Sequence, residues 1–175
     1  ELEAKFANEK AAELKAVEEK SPEDGEAIER ALLNFQGAQE KVASRLERLK
    51  ENSENPNVDR LFEKLTERSI IHEKLLQGIE ERHQDKEEVR IRVKSVGSAL
   101  SGVMGRMSEK DSPEKFTDRL RVKLEEGKGS ALKEIRAIEI LDRLGENVGE
   151  DVKRRLDGVR EGLKERAKVR IEELA

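Results

Sequence analysis

Apolar residues that recur at helical intervals constrain this chain more than any other sequence feature. In the segment 22–51 four of them stand seven positions apart: Ile28, Phe35, Val42 and Leu49. This spacing places them on one side of an α-helix, where they form a stripe facing one core. A second series steps by four and three and includes both histidines of the chain: Val58, Phe62, Leu65, Ser69, His72, Leu76, Ile79 and His83. Such regular spacing indicates packed helices rather than disorder.

The composition favours an all-α fold for these 175 residues. Charged residues make up 43% of the chain and apolar residues 34%, and there are four Phe but no Trp or Tyr. Because strands favour aromatic and β-branched side chains, this composition argues against a sheet. We predict six or seven helices in antiparallel hairpins, packed as a three- to four-helix bundle or as an elongated multi-helix bundle.

Prolines and capping residues predict where the helices begin. The three prolines follow good N-cap residues, in Ser21-Pro22, Asn55-Pro56 and Ser112-Pro113, and Pro fits the first helical turn. Capping-box spacings begin at Asp85 and Asn147, while Gly127 reads as a helix stop before a cap at Ser130. The predicted helices are 2–20, 22–51, 56–83, 85–108, 113–126, 131–146 and 148–174.

The phase of the apolar stripe slips near residue 84, which divides the chain. The series that ends at His83 does not continue into the next one, which starts at Val89. A stripe that changes face must bend or change partners. Residues 56–108 are therefore either one kinked helix or two helices. We predict an N-terminal unit, 1–84, and a C-terminal unit, 85–175, which is either a diverged repeat or part of one common domain.

Charge and composition also bear on partners. The net charge is −4, with acids and bases mixed along the chain, and neither a basic stripe nor base-stacking aromatics indicate a nucleic-acid partner. The chain has no Cys, so no disulfide is expected. No apolar run approaches the length of about 18 residues that a membrane span needs, although an upstream signal or anchor stays possible.

The two histidines are the candidate metal ligands, together with Glu80. His72 and His83 lie eleven residues apart, which is about 16 Å along one straight helix, so they cannot bind one metal ion from there. Glu80 and His83 have the spacing used in di-iron bundles, but such a site needs a second motif with another histidine. Buried, hydrogen-bonded histidines in the helix seam are the favoured interpretation, with a weak metal site at His83 as the alternative.

The Gly-rich segment 96–107 is the candidate interaction surface. Gly97, Gly102 and Gly105 each cost about 1 kcal/mol relative to Ala in a helix interior. Their presence indicates either close helix–helix approach or a binding groove with exposed methionines, whereas the alternative is a loosely packed helix. The groove would be lined by Val96, Leu100, Met104 and Met107.

Catalytic motifs are not evident. The sequence contains neither a phosphate-binding G-x-x-x-x-G-K loop nor a G-x-S-x-G elbow. The acidic residues that can be placed fall on outer helix faces, so no buried carboxylate with a raised pKa is expected. We expect no cofactor and no enzyme activity.

Three segments together resemble a known family. They are "AKFANEKAAELKAVEEKSPEDGEAIERALLNFQGAQEKVASRLERLKE", "VDRLFEKLTERSIIHEKLLQGIEE" and "SALKEIRAIEILDRLGENVGEDVKRRLDGVREGLKERA". The chain resembles a helical domain-of-unknown-function family of candidate-phyla bacteria and some archaea. The segment 70–89 looks like that family's histidine unit, with His72 in the histidine position. The segment 136–156 looks like a second copy, with Ala137 in that position.

The resemblance implies an envelope-associated helical domain, and the family supplies no known activity. We therefore expect a non-enzymatic structural or protein-interaction module that is periplasmic, cell-surface or secreted, with a protein partner or self-association. One alternative is a periplasmic chaperone-like or stress-adaptor protein that binds clients in the Met/Val/Leu groove. Another is a metal- or ligand-sensing domain that uses the histidines.

Overall fold

Seven α-helices form the regular secondary structure of the computed structural model in the residues that it describes, 1–126 and 129–173. They are α1 (Leu2–Lys20), α2 (Gly25–Glu47), α3 (Pro56–Arg82), α4 (Glu87–Ser108), α5 (Pro113–Glu125), α6 (Ala131–Leu144) and α7 (Glu150–Glu172). No strand occurs in this part of the chain. The all-α prediction and the expected number of helices are confirmed.

Local capping explains three of the helix starts, as predicted. The Asn55 side chain accepts a hydrogen bond from the backbone N–H of Asn57, with Pro56 in the first helical turn of α3. Ser112 caps α5 in the same way, again with a Pro in the first turn, and Ser130 caps α6. Each cap satisfies a backbone donor that has no partner inside its helix.

Three other predicted caps are wrong, and the helices concerned begin two or three residues later than predicted. Helix α2 begins after Asp24, whose side chain accepts from Ala27 N–H, so Ser21-Pro22 belongs to the turn that follows α1. Neither Asp85 nor Asn147 caps a helix, since Lys86 and Gly149 are the N-cap residues of α4 and α7. The Asn147 side chain donates instead to the Ser101 hydroxyl at 3.0 Å. Gly127 and the predicted end of the last helix at 174 lie outside the described residues.

The helices pack as a multi-helix bundle with one apolar core. Helices α1 and α2, α3 and α4, and α6 and α7 pack as hairpins. Helix α2 also packs against α4. Helix α3 contacts α1, α4, α5 and α6, while α7 packs against α5 and α6. Buried apolar side chains from all seven helices form a single cluster, which crosses the predicted boundary between residues 84 and 85.

A short joint, residues 83–86, separates α3 from α4, so the segment 56–108 contains two helices. The backbone N–H of His83 donates to the Ile79 carbonyl and ends α3. Lys86 Nζ donates to the carbonyls of Pro22 and Glu23, at 3.2 Å each. The α3–α4 joint is thereby attached to the loop between α1 and α2.

The predicted exposure of the α4 methionines is wrong. Val96, Leu100, Met104 and Met107 are all 0% exposed. Helix α4 packs against α2, α3 and α6, so its apolar stripe faces the core rather than solvent. Close packing at a glycine occurs at Gly105, where an added Cβ would lie 2.6 Å from the carbonyl oxygen of Asn147, but this residue belongs to the loop between α6 and α7 rather than to a helix.

None of the described helices is long and apolar enough to cross a membrane.

Two glycines of α4 provide a matched test of this packing. An added Cβ at Gly102 meets nothing within 4 Å, so Gly102→Ala should raise the free energy of unfolding by ~0.5–1 kcal/mol through helix propensity. Gly105→Ala should instead lower it by about 1–3 kcal/mol, because the methyl group would clash with backbone. Urea unfolding followed by circular dichroism measures both, and two changes of the same sign would contradict the packing described for α4.

Candidate functional site

Two adjoining cavities lie between α1 and α3, with volumes of about 800 and 510 Å³. Asn8, Arg68 and His72 line both of them, so the cavities follow one another along the two helices. We call this depression the α1–α3 groove. Its apolar lining includes Ala7, Ala11, Leu61, Leu65, Ile71 and Leu75.

The groove exists because α1 presents small side chains at its inner face. Ala7 and Ala11 are buried, and the next inward residue, Leu14, is the first large one. Helix axes pack 8–10 Å apart at a distance set by the side chains between them, and α1 is held mainly by α2. Two alanine methyl groups therefore leave space beside α3, where Ile71 remains 44% exposed.

His72 lies where the two cavities meet. It is buried, its Nδ1 lies 3.2 Å from Gln39 Nε2, and its ring packs edge-on against Phe35 with centroids 4.9 Å apart. Burial, together with a smaller effect of the nearby positive charge of Arg68, lowers the pKa of His72 to about 4. His72 is therefore neutral near pH 7, and Nδ1 accepts a hydrogen bond from the Gln39 amide.

His83 lies at the far end of α3 and contacts a buried carboxylate. Its Nε2 is 2.9 Å from Glu18 Oε2, and Arg82 Nε is 2.5 Å from Glu18 Oε1. The Glu18 side chain is only 2% exposed. These contacts attach the last turn of α1 to the last turn of α3 and close the groove at that end.

Both histidines are buried and hydrogen-bonded, as the favoured interpretation predicted. The structure does not bring the three candidate metal ligands together: His83 contacts Glu18, whereas Glu80 forms an ion pair with Arg143 at 2.6 Å. Within residues 1–126 and 129–173, no three His, Asp or Glu residues are grouped as a metal ion would require.

Glu73 is a fully buried carboxylate that sequence reasoning missed. It is 0% exposed, and neither carboxylate oxygen has a hydrogen-bond partner among the described residues. Its nearest cation, Arg143 of α6, lies 3.6 Å from Oε2 and is engaged more closely by Glu80. Burial raises the pKa of Glu73 to about 7, although Arg143 acts in the opposite direction.

The expectation that the acidic residues lie on outer faces is wrong for Glu18, Glu73 and Glu134, which are all buried. For Glu73 the reason is that α3 is covered on more than one side. A second buried stripe runs beside the apolar one and consists of Thr66, Ile70, Glu73 and Gln77. Ile70 is its only apolar member. The stripe's spacing of four and three was the available signal, but a search for hydrophobic periodicity does not detect a polar stripe.

Comparison with family models, with curated proteins and with solved structures finds no match.

The shifted pKa values of Glu73 and His72 affect the stability of the fold in opposite directions. The pKa of Glu73 in the folded protein, about 7, lies above its ordinary value of 4.5. Its contribution to the free energy of unfolding is therefore complete below pH 4.5 and is lost as the pH rises to 7. The pKa of His72 in the folded protein, about 4, lies below its ordinary value of 6.5. Its contribution to the free energy of unfolding is therefore complete above pH 6.5 and is lost as the pH falls to 4. Between pH 4.5 and 6.5 the two trends oppose each other.

We predict that Glu73→Gln stabilises the protein at pH 8 by about 1–3 kcal/mol, because the cost of ionising a buried carboxylate disappears. The difference from the wild type should shrink towards zero at pH 4.5. Urea unfolding at half-unit pH intervals measures it. An equal difference at both pH values would show that Glu73 does not titrate as described.

His72→Gln is the matched variant, because it keeps a polar side chain opposite Gln39. Between pH 6.5 and 4.5, we expect the stability of His72→Gln to fall less, or to rise more, than that of the wild type. Glu73→Gln should show the opposite deviation over the same interval. The same series of urea unfolding curves measures both, and parallel pH profiles for the two variants would refute the assignment.

Proposed function

We propose that this protein is a non-enzymatic helical interaction module and that the α1–α3 groove is its binding surface. The observation that carries the proposal is the pair of adjoining cavities, 800 and 510 Å³ in volume, which open between two helices and are partly lined by apolar side chains. Ligand sites in helical proteins are commonly depressions between helices with apolar linings and a few polar groups.

Exposure of apolar surface supports this choice. Ile71 and Ala12 line the larger cavity and are both exposed, while Leu75 is partly buried against the core. Burying apolar surface on binding contributes roughly 25 cal/mol per Å² before the costs of association. A partner that covers this groove therefore gains free energy that the isolated chain does not.

Contacts at one end and at the middle of the groove give it a defined shape. At one end Glu18 is held by Arg82 and His83, and the α3–α4 joint is attached to the α1–α2 loop through Lys86. Further along, His72 is packed against Phe35 and hydrogen-bonded to Gln39. A surface that is organised before binding loses less conformational entropy when a partner docks.

An extracytoplasmic or envelope location remains part of the proposal. It rests on the family resemblance. Fusing the complete open reading frame to alkaline phosphatase, which is active only after export, would test the location separately from binding.

The binding surface is testable with a hydrophobic fluorescent dye, anilinonaphthalene sulfonate, under native conditions. We expect saturable fluorescence enhancement that Ile71→Glu weakens at least tenfold, because the new carboxylate lies in the groove. Ile91→Glu is the matched control, since Ile91 is 57% exposed on α4 and lines neither cavity. Circular dichroism verifies that both variants fold.

Two results would overturn the proposal. One is dye binding that is absent, or that both Glu variants weaken equally. The other is turnover in an unbiased substrate screen that is lost on changing a single residue, which would refute the non-enzymatic assignment.

A further inference from the structure

We infer that the α1–α3 groove takes an amphipathic helix with an acidic polar face, supplied by a partner protein. This inference rests on the proposed function, because it names the occupant of the same groove. Three features of the groove carry it: the way its walls satisfy their backbone groups, its length and its pattern of charges.

The walls favour a helical occupant. Beyond the first turn of α1, both α1 and α3 satisfy their backbone N–H and C=O groups within their own helices, so the walls offer no extended row of free donors and acceptors. An extended segment buried there would leave its own backbone groups unpaired at a cost. A helix instead pairs its backbone N–H and C=O groups internally, and it presents apolar side chains on one face at positions i, i+3, i+4 and i+7.

The length of the groove fits such a helix. Within α1 its lining extends from Ala4 to Glu19. At 1.5 Å per residue this distance is about 22 Å, which corresponds to about four turns of a helix. The small side chains of Ala4, Ala11 and Ala12 on this wall allow close approach of a neighbouring helix.

The charges of the groove favour an acidic occupant. Four lining cations have no ion-pair partner among the described residues: Lys5, Lys64, Arg68 and Lys74. Two of the lining acids are already paired, Glu18 with Arg82 and His83 and Glu19 with Lys15. Glu1 and Glu67 remain, so the groove has an unpaired positive excess in a chain whose net charge is −4.

The distribution of these cations favours a helix over an amphiphile with a single anionic head. Lys64, Arg68 and Lys74 extend over ten residues of α3, which is about 15 Å. A fatty acid would place its only charge at one point of this row. A helix with an acidic residue on each turn would meet all three cations.

The test uses two synthetic 18-residue helices with the same Leu/Ala face. One carries Glu along the flanks of that face, and its twin carries Lys at the same positions. Each is labelled with a fluorophore and titrated with the intact chain by fluorescence anisotropy, at 50 and 300 mM salt. We expect the Glu peptide to bind at least tenfold more tightly than the Lys peptide, with a preference that shrinks at the higher salt.

Charge reversal assigns the preference to the groove. Arg68→Glu and Lys74→Glu should each weaken binding of the Glu peptide about tenfold, and their double variant should bind the Lys peptide more tightly than the wild type does. Lys94→Glu is the matched control, because Lys94 is an exposed cation of α4 that lines neither cavity and has no described ion pair. It should change affinity less than twofold.

Other outcomes overturn the inference and identify what replaces it. Equal binding of the two peptides, or binding of neither, refutes an acidic helix. If neither peptide binds while the dye still binds and Ile71→Glu abolishes it, the groove stands as a binding surface and only its occupant is wrong. Displacement of the dye by palmitate alone would indicate a lipid. A dimer by analytical ultracentrifugation that Arg68→Glu dissociates would indicate a second copy of this chain.

Discussion

The structure depends on how α3 is covered in a chain with little apolar material. Helix α3 packs against α1, α4, α5 and α6, and His72 also reaches Gln39 and Phe35 of α2. Only 34% of the residues are apolar, so a helix covered on several sides must bury polar groups as well. Glu73 and Gln77 are buried for this reason, and the raised pKa of Glu73 is a consequence of the same constraint.

The same shortage of bulky apolar residues accounts for the groove. Helix α1 uses Ala7 and Ala11 where a fully packed bundle would place larger side chains, so it covers α2 well and α3 poorly. Polar contacts fix the two helices at their last turns, through the Glu18 carboxylate with Arg82 and His83. Both histidines therefore make structural contacts: His72 packs at the middle of the groove, and His83 helps to close its end by contacting Glu18.

The sequence predicted the helices with good accuracy because their signals are local. The starts at Asn55-Pro56 and Ser112-Pro113 follow from caps that act within one turn. The start at Ser21-Pro22 was wrong because Asp24, three residues later, provides the cap and the chain needs the intervening residues to reverse direction. Asn147 was misassigned because its side chain donates to Ser101, 46 residues away in sequence, and no local pattern shows that contact.

The sequence alone determined the helical class, the approximate bounds of seven helices and the burial of the main apolar stripe that contains His72. Helical periodicity is a property of neighbouring residues, so it can be read along the chain. The tertiary structure decided which further faces are covered: it buried Glu73 and the α4 methionines, and it left the space between α1 and α3 open. These outcomes depend on which helices meet and how bulky their facing side chains are, and contacts between residues far apart in sequence determine both.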